Sequence, residues 1–423
     1  MTDRWTQDDA SLQHGTEWGG AQQPVTIVKG SGSTVWDEQG RSYLDANAGA
    51  WLCSIGHAEP EMAEAARKQI LEIEHYTVRR EFTTPPANAL AARIVRMSGI
   101  EGGKVRFTCS GSEADDDAFQ IVQEHFRRLG KPEKRKLITL SRAFHGHCLS
   151  GRLLNGTTAH EDVVQVAMPD PSCFDGDASD LVDACLRELR ETIEREGAQH
   201  IAAMFGEPVF GDGMVPAPAG YWRRAVDLLR EHDILFVADE VATGFGRTGR
   251  MFGCEHDGIT PDVMILAKGI TSGYAAVAAI VISPEIAAST RGFPSGGSFA
   301  GQALGCALAM KNLDIVEQRD LVANAEARGR QFLGELAPAT ELPGVHSVHG
   351  LGLMIGLRLE HPWQGAKPLD QIIREEHGVL VDGTSSAQHI LLTPPLIITE
   401  AEVSAACRAI IAVCRDHLPR ATS

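Results

Sequence analysis

Between about residues 90 and 315 the chain alternates short apolar runs with amphipathic stretches. The runs are nearly continuous in Val, Ile, Leu or Ala, as expected for strands that are covered on both faces. They lie at residues 105–109, 136–140, 201–205, 234–238, 263–267 and 276–282. The stretches between them, such as 112–129 and 221–232, are typical of helices. This alternation predicts an α/β fold with a mostly parallel sheet and a ligand site beyond the carboxyl ends of its strands.

A second, smaller domain is predicted from the rest of the chain. A chain of 423 residues is long for one compact core. Outside the alternating region we expect a hairpin, two helices and two strands at residues 35–44, 321–336, 400–417, 352–359 and 378–381. The hairpin turns at residues 37–40. The resulting prediction is a large domain at 61–315 and a small α/β domain built from 1–60 and 316–423.

Composition excludes several classes of function. The net charge of −17 argues against nucleic-acid binding; it is compatible with a cationic substrate, but an acidic surface that keeps a protein in solution is the commoner explanation. The nine cysteines contain no CxxC and no Cys/His cluster, which predicts free thiols, several of them buried, and no metal site. No apolar run approaches the roughly 20 residues that span a bilayer. Because residues 1–13 are polar and mildly acidic, a cytoplasmic location without membrane partners is expected.

Lys268 directly follows the apolar run at 263–267. An ammonium at the end of a buried strand is costly, so the side chain either extends to solvent, pairs with an acid, or acts as a Schiff-base lysine with a lowered pKa. Asp239 ends the preceding strand, 29 positions earlier. It could cap a helix or form a salt bridge, or it could keep a pyridine nitrogen protonated. Two successive parallel strands would place both residues at one pocket.

Residues 108–113 predict a strand, a turn of small residues and a helix. The free N–H groups of such a helix start, with the hydroxyls of Ser110 and Ser112 and the close backbone approach at Gly111, suit a phosphate group, although an ordinary capping turn looks similar. The acids at 115–117 suit the helix dipole but should point away from a phosphate. At 143–146, Phe144 could cover a flat ring or fill a gap in the core.

Taken together, these segments resemble the class III (ω-amino acid type) pyridoxal-phosphate (PLP) aminotransferases from about residue 36 to 399. The most specific stretch is 239–249, Asp-Glu-Val followed by Gly-Phe-Gly-Arg-Thr-Gly, and then Asp262 and 266–269, Leu-Ala-Lys-Gly. The resemblance implies a homodimer of fold type I with active sites at the subunit interface.

The resemblance also implies roles for individual residues. Lys268 would carry the cofactor as a Schiff base and move the proton, and Asp239 would bind the pyridine nitrogen. The cofactor site would further include Ser110, Gly111, Ser112, Phe144, His145, Val241 and Ser298. Of these, Ser298 matches a Thr that reaches the phosphate from the partner subunit. Glu207 matches an acidic active-site residue, and Trp51 an aromatic residue near the substrate.

Some positions depart from the family pattern. Asp115 stands where Asn is usual, and Phe210 and Ala242 each replace a common Gln. Asp382 stands where many ω-transaminases place an Arg that pairs with a substrate carboxylate, and no Arg precedes the Pro-Pro at 394–395. Both usual carboxylate contacts are therefore missing. Either Asp382 attracts a cationic or polyfunctional substrate, or it faces solvent and another Arg, such as Arg79 or Arg80, contacts a carboxylate.

The predicted reaction is a ping-pong transfer of an amino group from a primary amine, such as a diamine, polyamine or amino-sugar-like intermediate, to a keto acid or aldehyde. Relatives with the same fold act as aminomutases, epimerases or a decarboxylase, and no motif here separates them. A protein that binds PLP without catalysis is a further alternative. A nicotinamide-dependent dehydrogenase is disfavoured because no GxGxxG follows an early strand.

Overall fold

The structure, a computed structural model, describes residues 25–171, 174, 176–294, 296–365, 367–383 and 388–418. The strands within these residues are β1 Ile27–Ser31, β2 Thr34–Asp37, β3 Ser42–Asp45, β4 Lys104–Thr108, β5 Lys136–Leu140, β6 Val163–Val166, β7 Ile201–Gly206, β8 Val209–Phe210, β9 Val215–Pro216, β10 Leu235–Asp239, β11 Val263–Leu266, β12 Ala278–Ile282, β13 Val345–Leu351, β14 Met354–Leu359, β15 Val379–Leu380 and β16 His389–Leu392. The helices are α1 Ala48–Trp51, α2 Pro60–Glu72, α3 Pro85–Ser98, α4 Gly111–Arg128, α5 Leu149–Leu154, α6 Ala178–Glu196, α7 Tyr221–Glu231, α8 Pro284–Ser289, α9 Ala303–Gln318, α10 Leu321–Leu336, α11 Leu369–His377 and α12 Glu400–His417.

A seven-stranded sheet forms the centre of the molecule, in the order β4-β12-β11-β10-β7-β5-β6. Only β12 runs antiparallel to its neighbours, β11 and β4. The predicted α/β fold with a mostly parallel sheet is therefore confirmed. The six predicted apolar runs correspond to six of the seven strands, and β6 is the strand that the sequence reading did not name.

Helices cover both faces of this sheet. On one face, α4 buries Ala118 and Ile121 against Val237 and Ile265. On the other face, the apolar sides of α6 and α7 pack on strand residues such as Phe236. Because neither face meets water, the strands need apolar residues at consecutive positions, which explains the continuous runs in the sequence.

The chain ends form a second hydrophobic cluster around two smaller sheets. One sheet has the order β1-β2-β3-β15 and contains the predicted hairpin, and the other is β13-β14-β16. The cluster combines Ile55 near the start of the described chain with Phe332 and Ile410 near its end. Residues 1–24 and 419–423 of the predicted small domain lie outside the described residues, and the boundaries at 61 and 315 stay a prediction.

The Gly-Phe-Gly-Arg-Thr-Gly segment at 244–249 joins the two parts. Arg247 is buried, and its guanidinium donates to the carbonyls of Leu353 (3.3 Å) and Pro394 (2.5 Å). Burial lowers the pKa of Arg247 to about 10. At Gly352 a side chain would collide with the backbone of Thr248. This motif therefore fixes the β14–β16 sheet beside the turn that follows Asp239.

Two expectations from composition can be compared with the structure. Cys185, Cys306, Cys407 and Cys414 are buried free thiols, as predicted. Among the described residues, no helix has both the length and the apolar character that a membrane span requires.

Candidate active site

The carboxyl ends of the parallel strands place three predicted residues at one edge of the central sheet. Ala238 of β10 pairs with Gly206 of β7, so Asp239 and Glu207 follow at the same level. On the other side of β10, Asp239 pairs with Ile265 of β11, three positions before Lys268. Strand register thus brings these three side chains to a common pocket, where ligands of open α/β sheets bind.

Lys268 lies in the short turn directly after β11, with a left-handed φ of 40°. Its Nζ is 4.5 Å from the centroid of the Trp51 ring. The side chain keeps some exposure to the pocket, yet protein atoms surround it closely enough that desolvation lowers its pKa; Asp239 and Glu207 oppose this shift only in part. No carboxylate of the described residues lies within ion-pair distance of Nζ. The Lys268 amine therefore has the reduced proton affinity that a nucleophilic lysine needs.

Asp239 is held by two donors at the end of β10. Its Oδ1 accepts from the N–H of Val241 (3.0 Å), and its Oδ2 lies 2.8 Å from Nδ1 of His145. His145 is fully buried; burial is the largest single effect and lowers its pKa, but the hydrogen bond to Asp239 together with the charges of Asp239 and Glu207 raises the pKa of His145 overall. Asp239 therefore forms a buried pair with a histidine rather than a surface salt bridge, which fixes its carboxylate in place.

Glu207 connects the strand edge to two loops. Its Oε1 accepts from the N–H of Gly211 (3.0 Å) and its Oε2 from the N–H of Phe144 (3.2 Å). Burial raises the pKa of Glu207 to about 7, and the charge of Asp239 adds to the increase. A carboxyl group with this pKa changes protonation near neutral pH, and its state affects the loop that carries Phe144.

The small-residue turn before α4 has the geometry of an anion site. Ser110 caps the helix by accepting from the N–H of Glu113 (3.2 Å), and Ser112 Oγ accepts from the N–H of His147 (3.0 Å). Each hydroxyl can still donate its own proton, because a hydroxyl both donates and accepts. At Gly111 a side chain would come within 3.1 Å of Val241. Only glycine therefore leaves the helix start open while Val241 packs beneath it.

Phe144 is 48% exposed, so it does not fill a gap in the core. Its ring makes an edge contact with His147, with centroids 5.1 Å apart. An exposed aromatic ring whose backbone is fixed by Glu207 is available to stack on a planar ligand.

Trp51 and Asp382 form one wall of the site. The four residues of α1 all have positive φ, a strained left-handed turn that Asp45 supports by accepting from the N–H of Gly49 (3.1 Å). This turn directs the Trp51 ring toward Lys268, while its indole N–H donates to Oδ2 of Asp382 (3.1 Å). Asp382 is half-buried, and its backbone pairs with Leu391. It contacts the site through Trp51 instead of facing only solvent.

Ser298 is the predicted residue that the chain's own fold does not bring to this pocket. It is exposed in the loop at 296–301, where Gly296 accepts a hydrogen bond from Arg79 (2.7 Å) and donates one to Asp117 (3.2 Å). Within the described residues no hydrogen bond joins Ser298 to Lys268 or Asp239. This placement agrees with a role at the site of a second subunit, as the resemblance implies.

Asp115 is a member of the site that the sequence reading did not recognise. It is 2% exposed, and one carboxylate oxygen lies within 4.8 Å of both a His145 ring nitrogen and an Asp239 oxygen. The sequence shows that Asp115 replaces Asn, and the prediction for acids 115–117 is that they point away from the phosphate. Its position four residues after Gly111, on the face that also carries Ala118, was the signal that it points inward.

These residues fit the expected cofactor. Nε2 of His145 and Oδ1 of Asp115 are buried atoms next to Asp239 at the base of the pocket, and neither finds a hydrogen-bond partner in the part of the chain that the structure describes. An open helix start, an exposed aromatic ring, a carboxylate and a desolvated lysine are the groups needed to bind a phosphate, a ring face, a pyridine nitrogen and an aldehyde. PLP carries all four features.

Comparison with known proteins agrees with this chemistry. The family model "Aminotransferase class-III" matches residues 17–414. Gamma aminobutyrate transaminase 3, chloroplastic, of Solanum lycopersicum is 32% identical over 412 residues, covering 90% of this chain and 78% of the relative. The diaminobutyrate–2-oxoglutarate transaminase of Halomonas elongata is 34% identical over 353 residues, covering 78% of this chain and 75% of the relative.

A solved structure matches over almost the whole length. It is an amine transaminase from an uncultivated Pseudomonas species in its PLP-bound form, with a TM-score of 0.89, 31% identity and 98% coverage of both chains. The expected fold type I and the expected cofactor are both confirmed by this similarity. The chain belongs to the class III aminotransferases and is a PLP-dependent enzyme that transfers an amino group from an amine to a keto acid.

Proposed function

We propose that the amino donor is a primary amine with a second positive charge, and that Asp382 recognises this charge across the ring of Trp51. The observation that carries the proposal is the position of Trp51 between the two groups: its ring lies over Lys268 Nζ, and its indole N–H binds the Asp382 carboxylate. A donor whose reacting amine is at Lys268 would then have its other end near an anion. Opposite charges across a partly enclosed wall favour such a substrate.

Neighbouring arginines do not offer the carboxylate contact typical of many relatives. Arg142 is engaged by Asp212 (2.6 Å) and Asp170 (3.1 Å). Arg247 binds main-chain carbonyls in the interior. Arg142 is therefore held by ion pairs within the protein, and Arg247 is buried in the interior with Nη1 on main-chain carbonyls, although its Nη2 has no hydrogen-bond partner among the described residues.

Arg79 supports the competing proposal, in which the donor is an ω-amino acid. It is exposed and bound to the loop that carries Ser298, so a dimer that brings Ser298 to the partner's phosphate site would bring Arg79 to the same side. The names of the relatives divide in the same way, because one denotes a diamino acid and the other an ω-amino acid. The test below separates these two substrates.

The proposed enzyme is a homodimer whose active sites each include Ser298 of the other subunit. Exposed aromatic residues near that loop, Tyr76, Phe82 and Phe299, support an interface there, because monomeric proteins rarely expose such clusters. The cytoplasmic location and the division into domains at residues 61 and 315 remain part of the same proposal.

PLP, when bound, supplies an aldehyde that condenses with amines and an electron-poor ring that accepts the electron pair of a broken C–H bond. Lys268, with its lowered pKa, would take the proton from the amine-bearing carbon of the donor and deliver it to the cofactor. Asp239, fixed by Val241 and His145, holds a positive charge at the ring nitrogen. The N-terminus of α4 at Gly111 and Ser112 binds the phosphate.

The faces of the ring and the order of substrates follow from the same residues. Phe144 would cover one face of the bound cofactor ring and Val241 the other, which would keep water from the reacting carbon. Donor and acceptor use one pocket in turn, so the kinetics are ping-pong.

Aminomutase, epimerase or decarboxylase outcomes would leave the cofactor aldehyde restored after every turnover. The Schiff base between Lys268 and PLP has its own absorption band, called here the lysine-bound absorbance. Loss of this absorbance when donor is added without acceptor would instead support transamination.

A donor panel on the purified holoenzyme tests the substrate. It compares putrescine with butylamine, which lacks the second amine, and with 4-aminobutyrate, which replaces that amine by a carboxylate. We expect the highest kcat/KM for putrescine. Asp382→Asn should lower the putrescine value roughly tenfold while leaving butylamine almost unchanged, because only putrescine loses a charged contact.

Arg79→Ala serves as the matched control, since any effect on the loop of Ser298 should change putrescine and butylamine turnover by the same factor. Equal or better turnover of 4-aminobutyrate by the unmodified enzyme, with a loss in Arg79→Ala, would reject the cationic donor and favour the ω-amino acid.

A further inference from the structure

Asp115 occupies an unusual position for an acidic residue. It lies in the second turn of α4, where Asp116 accepts from the N–H of Ser150 (3.0 Å) and Asp117 from the N–H of Gly296 (3.2 Å). Asp116 and Asp117 therefore hold neighbouring loops against α4. Asp115 instead shares the inward face with Ala114 and Ala118 and is almost completely buried.

The surroundings of Asp115 provide little support for a negative charge. Its Oδ1 has no hydrogen-bond partner. The titratable groups that face it are His145, Asp239 and Glu207 from the strand ends, Lys268 from the turn after β11, and Cys148 from the start of α5. Of these, only Lys268 and His145 can be positive, and His145 already pairs with Asp239.

The pocket has more carboxyl groups than positive charges, so one of these groups holds a proton. The pocket contains the carboxyl groups of Asp115, Asp239 and Glu207, and the amine of Lys268 becomes part of the bond to the cofactor when the enzyme is loaded. An ionised carboxylate without donors inside a protein is strongly unfavourable. Burial, followed by the charges of Asp239 and Glu207, raises the pKa of Asp115 well above its usual range. Asp239, with two donors, is the better place for the negative charge.

We propose that Asp115 is a positioning residue that the fold keeps as a neutral carboxylic acid, so that the negative charge beneath the cofactor stays on Asp239. Asp115 Oδ1 and His145 Nε2 make no hydrogen bond within the described residues, although ligand atoms of Asp115, His145 and Asp239 lie within 4.8 Å of one another, so Asp115 acts on the pair through the local field. A single, localised anion keeps the ring nitrogen protonated, whereas two adjacent anions would pull protons onto His145. This inference concerns the cofactor and does not depend on the identity of the donor.

The stability of the holoenzyme as a function of pH gives a direct test through Asp115→Asn, which keeps the shape but cannot ionise. A buried acid that retains its proton makes the folded state bind one proton more than the unfolded state above about pH 4. The wild type should therefore lose stability relative to Asp115→Asn by about tenfold in the unfolding constant per pH unit, from about pH 5 upward. Denaturant titrations at fixed protein and PLP concentration measure this ratio.

Asp227→Asn is the control, because Asp227 is an exposed acid on α7 and its removal should change stability by the same amount at every pH. A ratio for Asp115→Asn that is equally independent of pH would overturn the proposal, since it would mean that Asp115 is ionised in the folded enzyme.

Asp115→Leu tests the positioning role, because leucine has a similar shape without polar atoms. We expect Asp115→Asn to keep the pH midpoint of the lysine-bound absorbance and the kcat of the wild type. Asp115→Leu should shift that midpoint and lower kcat with little change in KM. Identical absorbance titrations for both variants would overturn the positioning role. If Asp115→Leu does not fold, the stability profile of Asp115→Asn decides the proposal alone.

Discussion

The base of the active site and its outer wall are built in different ways. At the base, Glu207, Asp239 and Lys268 follow three adjacent strands of one sheet, and register alone brings them together. At the wall, Trp51 and Asp382 are 331 positions apart and meet through a strained left-handed turn and an isolated bridge. The contrast indicates that the general chemistry depends on the rigid sheet, whereas the choice of substrate depends on chain segments that vary more easily.

Removing Lys268, the central group of the base, should have the largest effect. Lys268→Ala should lower turnover by roughly 10⁴-fold, because it removes the group that moves the proton, and it should abolish the lysine-bound absorbance at the same time. Steady-state kinetics and an absorption spectrum measure both effects.

Lys134→Ala provides a matched control for Lys268→Ala. Lys134 is also a buried lysine, but its ammonium binds the carbonyls of Ala198 and His232 far from the pocket. This variant should lose stability and keep the absorbance. Retention of either turnover or absorbance in Lys268→Ala would refute the assignment of Lys268.

The base was largely predictable from sequence because strand ends can be located from apolar runs. The run at 263–267 placed Lys268, and the run at 234–238 placed Asp239, before any side-chain contact was known. The inward direction of Asp115 was not predicted, because three successive acids at a helix start look like dipole-complementing surface residues. Helical position relative to Ala118 distinguishes Asp115 from its neighbours.

The wall was predicted only as a list of residue types. Family resemblance indicated Trp51 and Asp382, but nothing in the local sequence indicates that residues 48–51 form a left-handed turn or that the indole binds the acid. Such a contact depends on tertiary packing over more than 300 positions. The position of Ser298 depends on a second chain, so neither the sequence pattern nor a single folded chain locates it at a site.

Glu207 belongs to the base of the site but also holds the loop of Phe144 at its mouth. Its pKa of about 7 exceeds its usual value of 4.5, so the folded state retains a proton that the unfolded state has lost. The contribution of Glu207 to stability should therefore be full below about pH 4.5 and fall by about 3 kcal/mol as pH rises to about 7, in addition to the fall proposed for Asp115. Glu207→Gln should remove most of this slope in denaturant titrations.

Glu194→Gln is the control for Glu207→Gln, because Glu194 is an exposed acid on α6. Its titration should match the wild type across the range. If Glu207→Gln retained the full wild-type slope between pH 4.5 and 7, Glu207 would not be the group that holds the proton.

Trp51→Phe should have the smallest effect and acts on the wall alone. Phenylalanine keeps an aromatic ring over Lys268 but cannot donate to Asp382, so the carboxylate loses the bond that orients it. We expect kcat/KM for putrescine to fall roughly fivefold, equivalent to about 1 kcal/mol, mostly through KM, because the contact serves binding rather than proton transfer. Butylamine should be nearly unaffected, and the lysine-bound absorbance should stay unchanged. An equal loss for both amines would show that Trp51 serves the base of the site as much as its wall, and the separation of chemistry from substrate choice would no longer hold.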